Sequence, residues 1–126
     1  MDCSCVYTDY GEPLPEFHKA KIQMAKKNHK CCECKRTILP FEKYEYVSGM
    51  WEGDFLIFKT CIDCLDIRKE FFCDGWLYEG MKEALWEHLQ DLQGEINEDC
   101  LASLTPNARA FVCKIIERIW EDYDEN

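Results

Sequence analysis

A chain of 126 residues has room for one domain, or for a small metal-organised unit with a helical extension, and not for a large enzyme. Its 13% aromatic content argues against wholesale disorder, and no apolar run is long enough to span a membrane. The formal charge of −10 is unevenly placed: residues 1–15 carry −3, 16–36 carry +5, 37–78 carry −4 and 79–126 carry −8.

Residues 1–15, with "YGEPLP", read as an extended arm, because Pro13 and Pro15 remove donors and bias their predecessors away from helical angles. The arm lacks the basic start and apolar core of a secretory leader, so the expected compartment is a reducing cytoplasm. The basic stretch "EFHKAKIQMAKKNHK" is ambiguous. Phe17, Ala20 and Met24 suit a short helix, whereas Ala20, Ile22 and Met24 suit a strand.

"EKYEYVSG" and "DFLIFKT" are aromatic and β-branched runs joined by "MWEG", with Gly49 and Gly53 nearby, which predicts a β-hairpin. "LDIRKEFF" predicts a short helix. In "LYEGMKEALWEHLQDL", Met81, Leu85, Leu89 and Leu92 share one face and Gly94 supplies the stop, so an amphipathic helix is expected. A short helix is expected around "EDCLASL". The last segment has Thr105 as N-cap, Pro106 in the first turn, and Ala108, Phe111, Val112, Ile115, Ile116, Ile119 and Tyr123 as an apolar stripe.

Ten cysteines in such a chain imply either a disulfide framework or metal, and the missing leader favours metal. Cys31-x-x-Cys34 and Cys61-x-x-Cys64 flank the predicted hairpin. A two-residue spacer lets both thiolates of a pair face one ion at about 2.3 Å, and two pairs complete the closed tetrahedral shell of structural zinc. A redox dithiol needs one pair in a βαβ setting, which this pattern lacks.

The knuckle "CECKRTI", the hairpin after "LPFEKYEYV" and a last ligand pair at a helix start resemble the treble-clef class of zinc fingers, over roughly residues 29–72. The "CCEC…KTC-x-x-C" layout is also similar to small uncharacterised phage and prophage proteins. The treble-clef resemblance implies a fold, not an activity. Many treble-clef proteins are HNH-type nucleases, but neither the hairpin nor "LDIRKEFF" holds the histidines that chemistry requires, and no enzyme is expected.

Cys32 stands between two ligands and should point away from their ion. Cys3, Cys5, Cys32 and Cys73 are candidates for a second four-thiolate site, giving one or two zinc ions per chain, with His29 or His18 as possible replacements for one thiolate. The alternative leaves Cys32 and Cys73 as small buried hydrophobes. Cys100 and Cys113 read as core residues.

Two binding surfaces follow from the charge. Lys19, Lys21, Lys26, Lys27, Lys30, Lys35 and Arg36 cluster around the knuckle and, with Tyr44, Tyr46 and Trp51, suit a nucleic-acid binder using residues 19–36. Against this stand the acidic helices. Glu79, Glu83 and Glu87 recur every four residues, and Glu117, Glu121 and Asp122 crowd the end of the last helix, where negative charge opposes the macrodipole.

The resulting expectation is an α+β fold. Residues 1–74 form a zinc-binding arm, treble-clef-like knuckle, β-hairpin and short helix, and residues 75–126 an acidic helical extension packed on them. Its expected role is non-enzymatic: a zinc-stabilised module, in a phage setting an inhibitor, whose acidic face docks on a basic surface of a host nucleic-acid-handling or defence protein in the host cytoplasm. Nucleic-acid binding through 19–36 is the alternative.

Overall fold

A computed structural model describes residues 6, 17–72 and 78–124. The elements run β1 (Phe17–Met24), β2 (His29–Lys30), β3 (Thr37–Ile38), β4 (Lys43–Trp51), β5 (Asp54–Cys61), α1 (Ile62–Phe71), α2 (Met81–Asp91), α3 (Glu98–Ala102) and α4 (Pro106–Asp124). The chain is α+β and divides into two compact units, residues 9–65 and residues 1–8 with 66–126. No helix among the described residues is long and apolar enough to cross a membrane.

The first unit is built on an antiparallel sheet in the order β1-β4-β5. β4 and β5 form the expected hairpin. Glu52 (φ 50) and Gly53 (φ 84) both lie in the left-handed region, as a two-residue hairpin turn that follows the natural strand twist requires. The ambiguous basic stretch is the strand β1, paired along its whole length with β4 from Phe17↔Met50 to Met24↔Lys43. Backbone bonds between Ala25 and Glu42 (2.8 Å) and between Phe41 and Ala25 (2.8 Å) continue that pairing. Helix propensity loses because β4 offers β1 a ladder of backbone partners that the sequence of β1 alone cannot reveal.

Because side chains alternate across a strand, the register sorts the sheet into two faces. One carries Val47, Trp51 and Phe58 with His18, and Trp51 packs edge-on to Phe58 with ring centres 5.4 Å apart. The other carries the rows Gln23–Tyr44–Cys61 and Lys21–Tyr46–Lys59. β2 and β3 form a second, two-stranded sheet through His29↔Ile38 and Lys30↔Thr37. They bracket the knuckle.

β5 passes into α1 without a loop, so Cys61 ends a strand and Cys64 sits in the first turn of a helix. The helix therefore starts earlier than "LDIRKEFF" suggested.

In the second unit, α2 buries Met81, Leu85 and Leu89, and α4 buries Ala108, Val112, Ile115, Ile116 and Ile119. They belong to the two apolar stripes read from the sequence, of which Leu92, the C-cap of α2, and Phe111 are half-buried. Thr105 caps α4, its hydroxyl accepting from Ala108 N at 3.3 Å, and its own N–H donates to the Asp66 carboxylate at 2.7 Å. Gly94 (φ 76) ends the α2 segment where a β-carbon would lie 2.6 Å from Trp120 Nε1, so both backbone angle and space demand glycine. Val6 is buried and donates its N–H to Phe71 O at 2.7 Å.

Candidate metal centre

Cys31, Cys34, Cys61 and Cys64 come together in the first unit, their sulfur atoms all within 4.8 Å of one another. Cys31, Cys61 and Cys64 are buried and Cys34 is half-buried. The local chain builds this from two turns. In the knuckle, Cys31 N donates to Arg36 O (2.9 Å) and Lys35 N to Cys31 O (3.1 Å), with Lys35 at φ 68 closing the loop. In the second pair, the strand-to-helix passage turns Cys61 and Cys64 to the same side.

The geometry tests whether a metal fits. A tetrahedral ion with metal–sulfur bonds of about 2.3 Å has sulfur–sulfur edges of about 3.8 Å. Cys34 Sγ and Cys61 Sγ lie 3.8 Å apart. A disulfide needs about 2.05 Å. Cys31 Sγ accepts from Glu33 N and Cys61 N, both at 3.4 Å, and Cys61 Sγ accepts from Cys64 N at 3.4 Å. Such N–H donors favour sulfur in its thiolate form, the form that ligates metal.

The titration of the four groups points the same way. Hydrogen bonds from Cys34, then Cys61 and Cys64, hold Cys31 far below the ordinary thiol range. Cys34 is pushed up by Cys31 but drawn down by Cys61 and Cys64, to about 7. Cys61 and Cys64 are raised, chiefly by Cys31 and then by Cys34. Negative charge on some sulfurs thus opposes charge on the others, a conflict that a bound cation removes. The cluster fits a metal ion and is consistent with a zinc knuckle.

Arg36, placed by the sequence in the basic cluster, ties the ligand pairs together through two residues that sequence reasoning missed, Glu42 and Asp63. The Arg36 guanidinium reaches both Glu42 (Nη2–Oε1 3.1 Å, Nη1–Oε2 3.2 Å) and Asp63 (3.1 Å). Arg36 lies two residues after Cys34, and Asp63 lies between Cys61 and Cys64 in the first turn of α1. The strap thus joins knuckle to helix start, and the Glu42 hydrogen bond raises the guanidinium pKa above its ordinary value. The available signal was an arginine after one CxxC and an aspartate inside the other.

Cys32 is placed differently from its neighbours. Its thiol is half-buried, 3.6 Å from Thr60 Oγ1 and 3.8 Å from Glu33 Oε2, while its N–H donates to Lys59 O at 2.8 Å. Cys3, Cys5 and Cys73, the other expected members of a second site, lie outside the described residues. Cys113 is a free, half-buried thiol, and Cys100 is buried, in keeping with its reading as a core residue. His18 lies on the sheet face of Trp51. His29 Nδ1 lies 3.2 Å from Lys59 Nζ, and burial, then Lys59 and Lys27, lower its pKa.

The acidic residues are dispersed along the helical unit. Glu83 and Glu87 are exposed on α2, and Glu117, Glu121 and Asp122 on α4. Glu79 stands in the turn before α2 with φ 70, so the four-residue ridge is helical only from Glu83 to Glu87. The physical reason is that α2 begins at Met81, after a left-handed residue that cannot continue a helix. A groove of about 370 Å³ between α2 and α4 mixes signs, with Lys82, Lys114 and Arg118 beside Glu117 and Glu121.

Of the basic residues, Lys35 Nζ is bonded to Cys32 O (2.9 Å) and Arg36 is engaged in the strap. Trp51 and Tyr46 lie on opposite faces of β4. Comparison with protein-family models, with characterised proteins and with solved structures finds no match to this chain.

Proposed function

We propose that the protein is a non-enzymatic, zinc-stabilised interaction module whose acidic helical unit docks on a basic protein surface. Cys31, Cys34, Cys61 and Cys64 would hold the zinc. Four thiolates fill its shell, so the ion supplies a cross-link and not a bound water for catalysis. The phage and prophage resemblance of the cysteine layout makes a host nucleic-acid-handling or defence protein the proposed target, and inhibition in the host cytoplasm the proposed outcome.

The observation that carries this reading is the partition of charge. Residues 9–65 hold nine lysines and arginines against nine aspartates and glutamates, whereas residues 1–8 and 66–126 hold six against sixteen. The whole excess of −10 belongs to the helical unit. The last turn of α4 contains no basic residue, so Glu121 and Asp122 stand unfavourably against the helix dipole. A field of that sign accelerates encounter with a basic partner and falls with ionic strength.

Affinity capture from a host lysate, with and without nuclease treatment, tests the reading when paired with a charge-reversed bait. A basic protein should be retained after nuclease by the native chain. It should be lost, chiefly through slower association at low salt, with Glu79→Lys, Glu83→Lys and Glu87→Lys combined. Equal retention by both baits would remove the acidic face from the account.

A further inference from the structure

The three-stranded sheet separates its charges by face. On the side of Tyr44 and Tyr46, the register brings together Lys19 and Lys21 from β1 and Lys59 from β5, and no carboxylate shares that face in the paired rows. Glu45 and Asp54 belong to the opposite side. One row, Lys21–Tyr46–Lys59, sets an aromatic ring between two ammonium groups, with Lys21 Nζ 6.0 Å from the ring centre.

The pattern continues in both directions. Towards the hairpin tip, Phe55 is 58% exposed and Ile57 is 46% exposed on the same face, far more than side chains serving a core. Towards the knuckle, the face opens into a cavity of about 830 Å³, walled by Tyr44 and Tyr46 and rimmed by Lys26, Lys27 and Lys59. Successive residues on one face of a strand are about 6.8 Å apart. Lys19 and Lys21 therefore follow one another along β1 with the aromatic groups of β4 and β5 beside them.

The geometry points to single-stranded nucleic acid as the ligand of this face, with Lys19, Lys21 and Lys59 on phosphates and Tyr46 and Phe55 as stacking platforms. The chemistry is that of sequence-tolerant strand binding, in which a cationic track follows the backbone and exposed rings accept bases. An acidic peptide would match the lysines but leave Phe55 and Ile57 without partners. A duplex would present phosphates but no accessible base faces to the rings. Residues 9–65 carry no net charge, and the −10 excess belongs to the other unit. This inference does not depend on the acidic helices, and their charge-reversed variant should leave it intact.

Fluorescence anisotropy with labelled oligo(dT), a duplex of equal length and a polyglutamate peptide tests it on the full, metal-loaded chain. Oligo(dT) should bind best, with a slope of log affinity against log salt near −2, as expected for about three phosphate contacts on a single strand. Lys21→Glu should weaken binding and flatten that slope, whereas Lys43→Glu, the same charge change on the opposite side of β4, should do neither. Tyr46→Ala should cost roughly five- to hundredfold in affinity. Metal content and circular dichroism of each variant must match the native chain, and Tyr46→Phe, which keeps the ring, should restore binding. Absence of salt-sensitive binding, equal losses from Lys21→Glu and Lys43→Glu, or preference for the peptide or duplex would overturn the assignment.

Discussion

The sheet unit and the helical unit reach order by different routes. In residues 9–65 charges balance, and four sulfurs from two distant segments converge on one point. In residues 1–8 and 66–126 charge accumulates to −10 and is opposed by apolar stripes on α2 and α4. The first arrangement concentrates its stabilisation in a few atoms, and the second spreads it over many methyl groups. Their sensitivities should differ accordingly.

The largest expected effect comes from the metal centre. Binding at structural zinc sites is worth about 10–16 kcal/mol in small peptides at neutral pH, more than most domains have in total stability. Cys31→Ser or Cys61→Ser should therefore abolish the ordered sheet, and a strong chelator should do the same to the native chain. Cys113→Ser should retain full metal content. Elemental analysis with near-ultraviolet circular dichroism reads both outcomes, and the finding of no metal in native protein would break the comparison at its root.

A smaller effect should follow from the helical side. Leu85 is fully buried on α2, and its truncation to alanine leaves a cavity whose cost is about 2–5 kcal/mol. Because the sulfur cluster lies wholly within residues 9–65, Leu85→Ala should lower the unfolding midpoint of the helices while leaving one metal equivalent in that cluster. Loss of that metal along with the helices would show that the two units fold as one.

The same contrast explains what could be read from the sequence. The stripes of α2 and α4 were visible because helical burial is periodic within one segment, and Thr105 and Gly94 mark ends by local chemistry. The ligand pairs were visible because metal geometry fixes the spacing within each pair. What depends on register between segments was not visible. β1 read equally as helix or strand because its determinant is the edge of β4. Lys59 lies about forty residues from Lys19 and joins it only through the ladder, and Trp51 was grouped with Tyr46 although the strand turns them apart. Arg36 and Asp63 likewise needed the meeting of knuckle and helix.

The smallest expected effect separates the strap from the ligands it braces. The Arg36 hydrogen bond, followed by that from Leu39 N–H, lowers the Glu42 pKa, while the two paired side chains remain 29% and 31% exposed. Solvent at that exposure limits the pair to about 1 kcal/mol or less. A carboxylate with a depressed folded-state pKa stabilises the fold above its unfolded value and loses that contribution as pH falls through the folded one. Glu42→Gln should therefore be slightly less stable than the native chain at neutral pH. The gap should narrow as pH falls below the ordinary glutamate value of 4.5 and close below the depressed folded one, where both chains carry an uncharged group. Denaturant titrations of both chains at matched metal load, repeated down the pH scale, measure that gap. A difference that persisted at the acid end would mean that Glu42 acts through its bond to Leu39 N–H (2.6 Å), and not through its charge on Arg36.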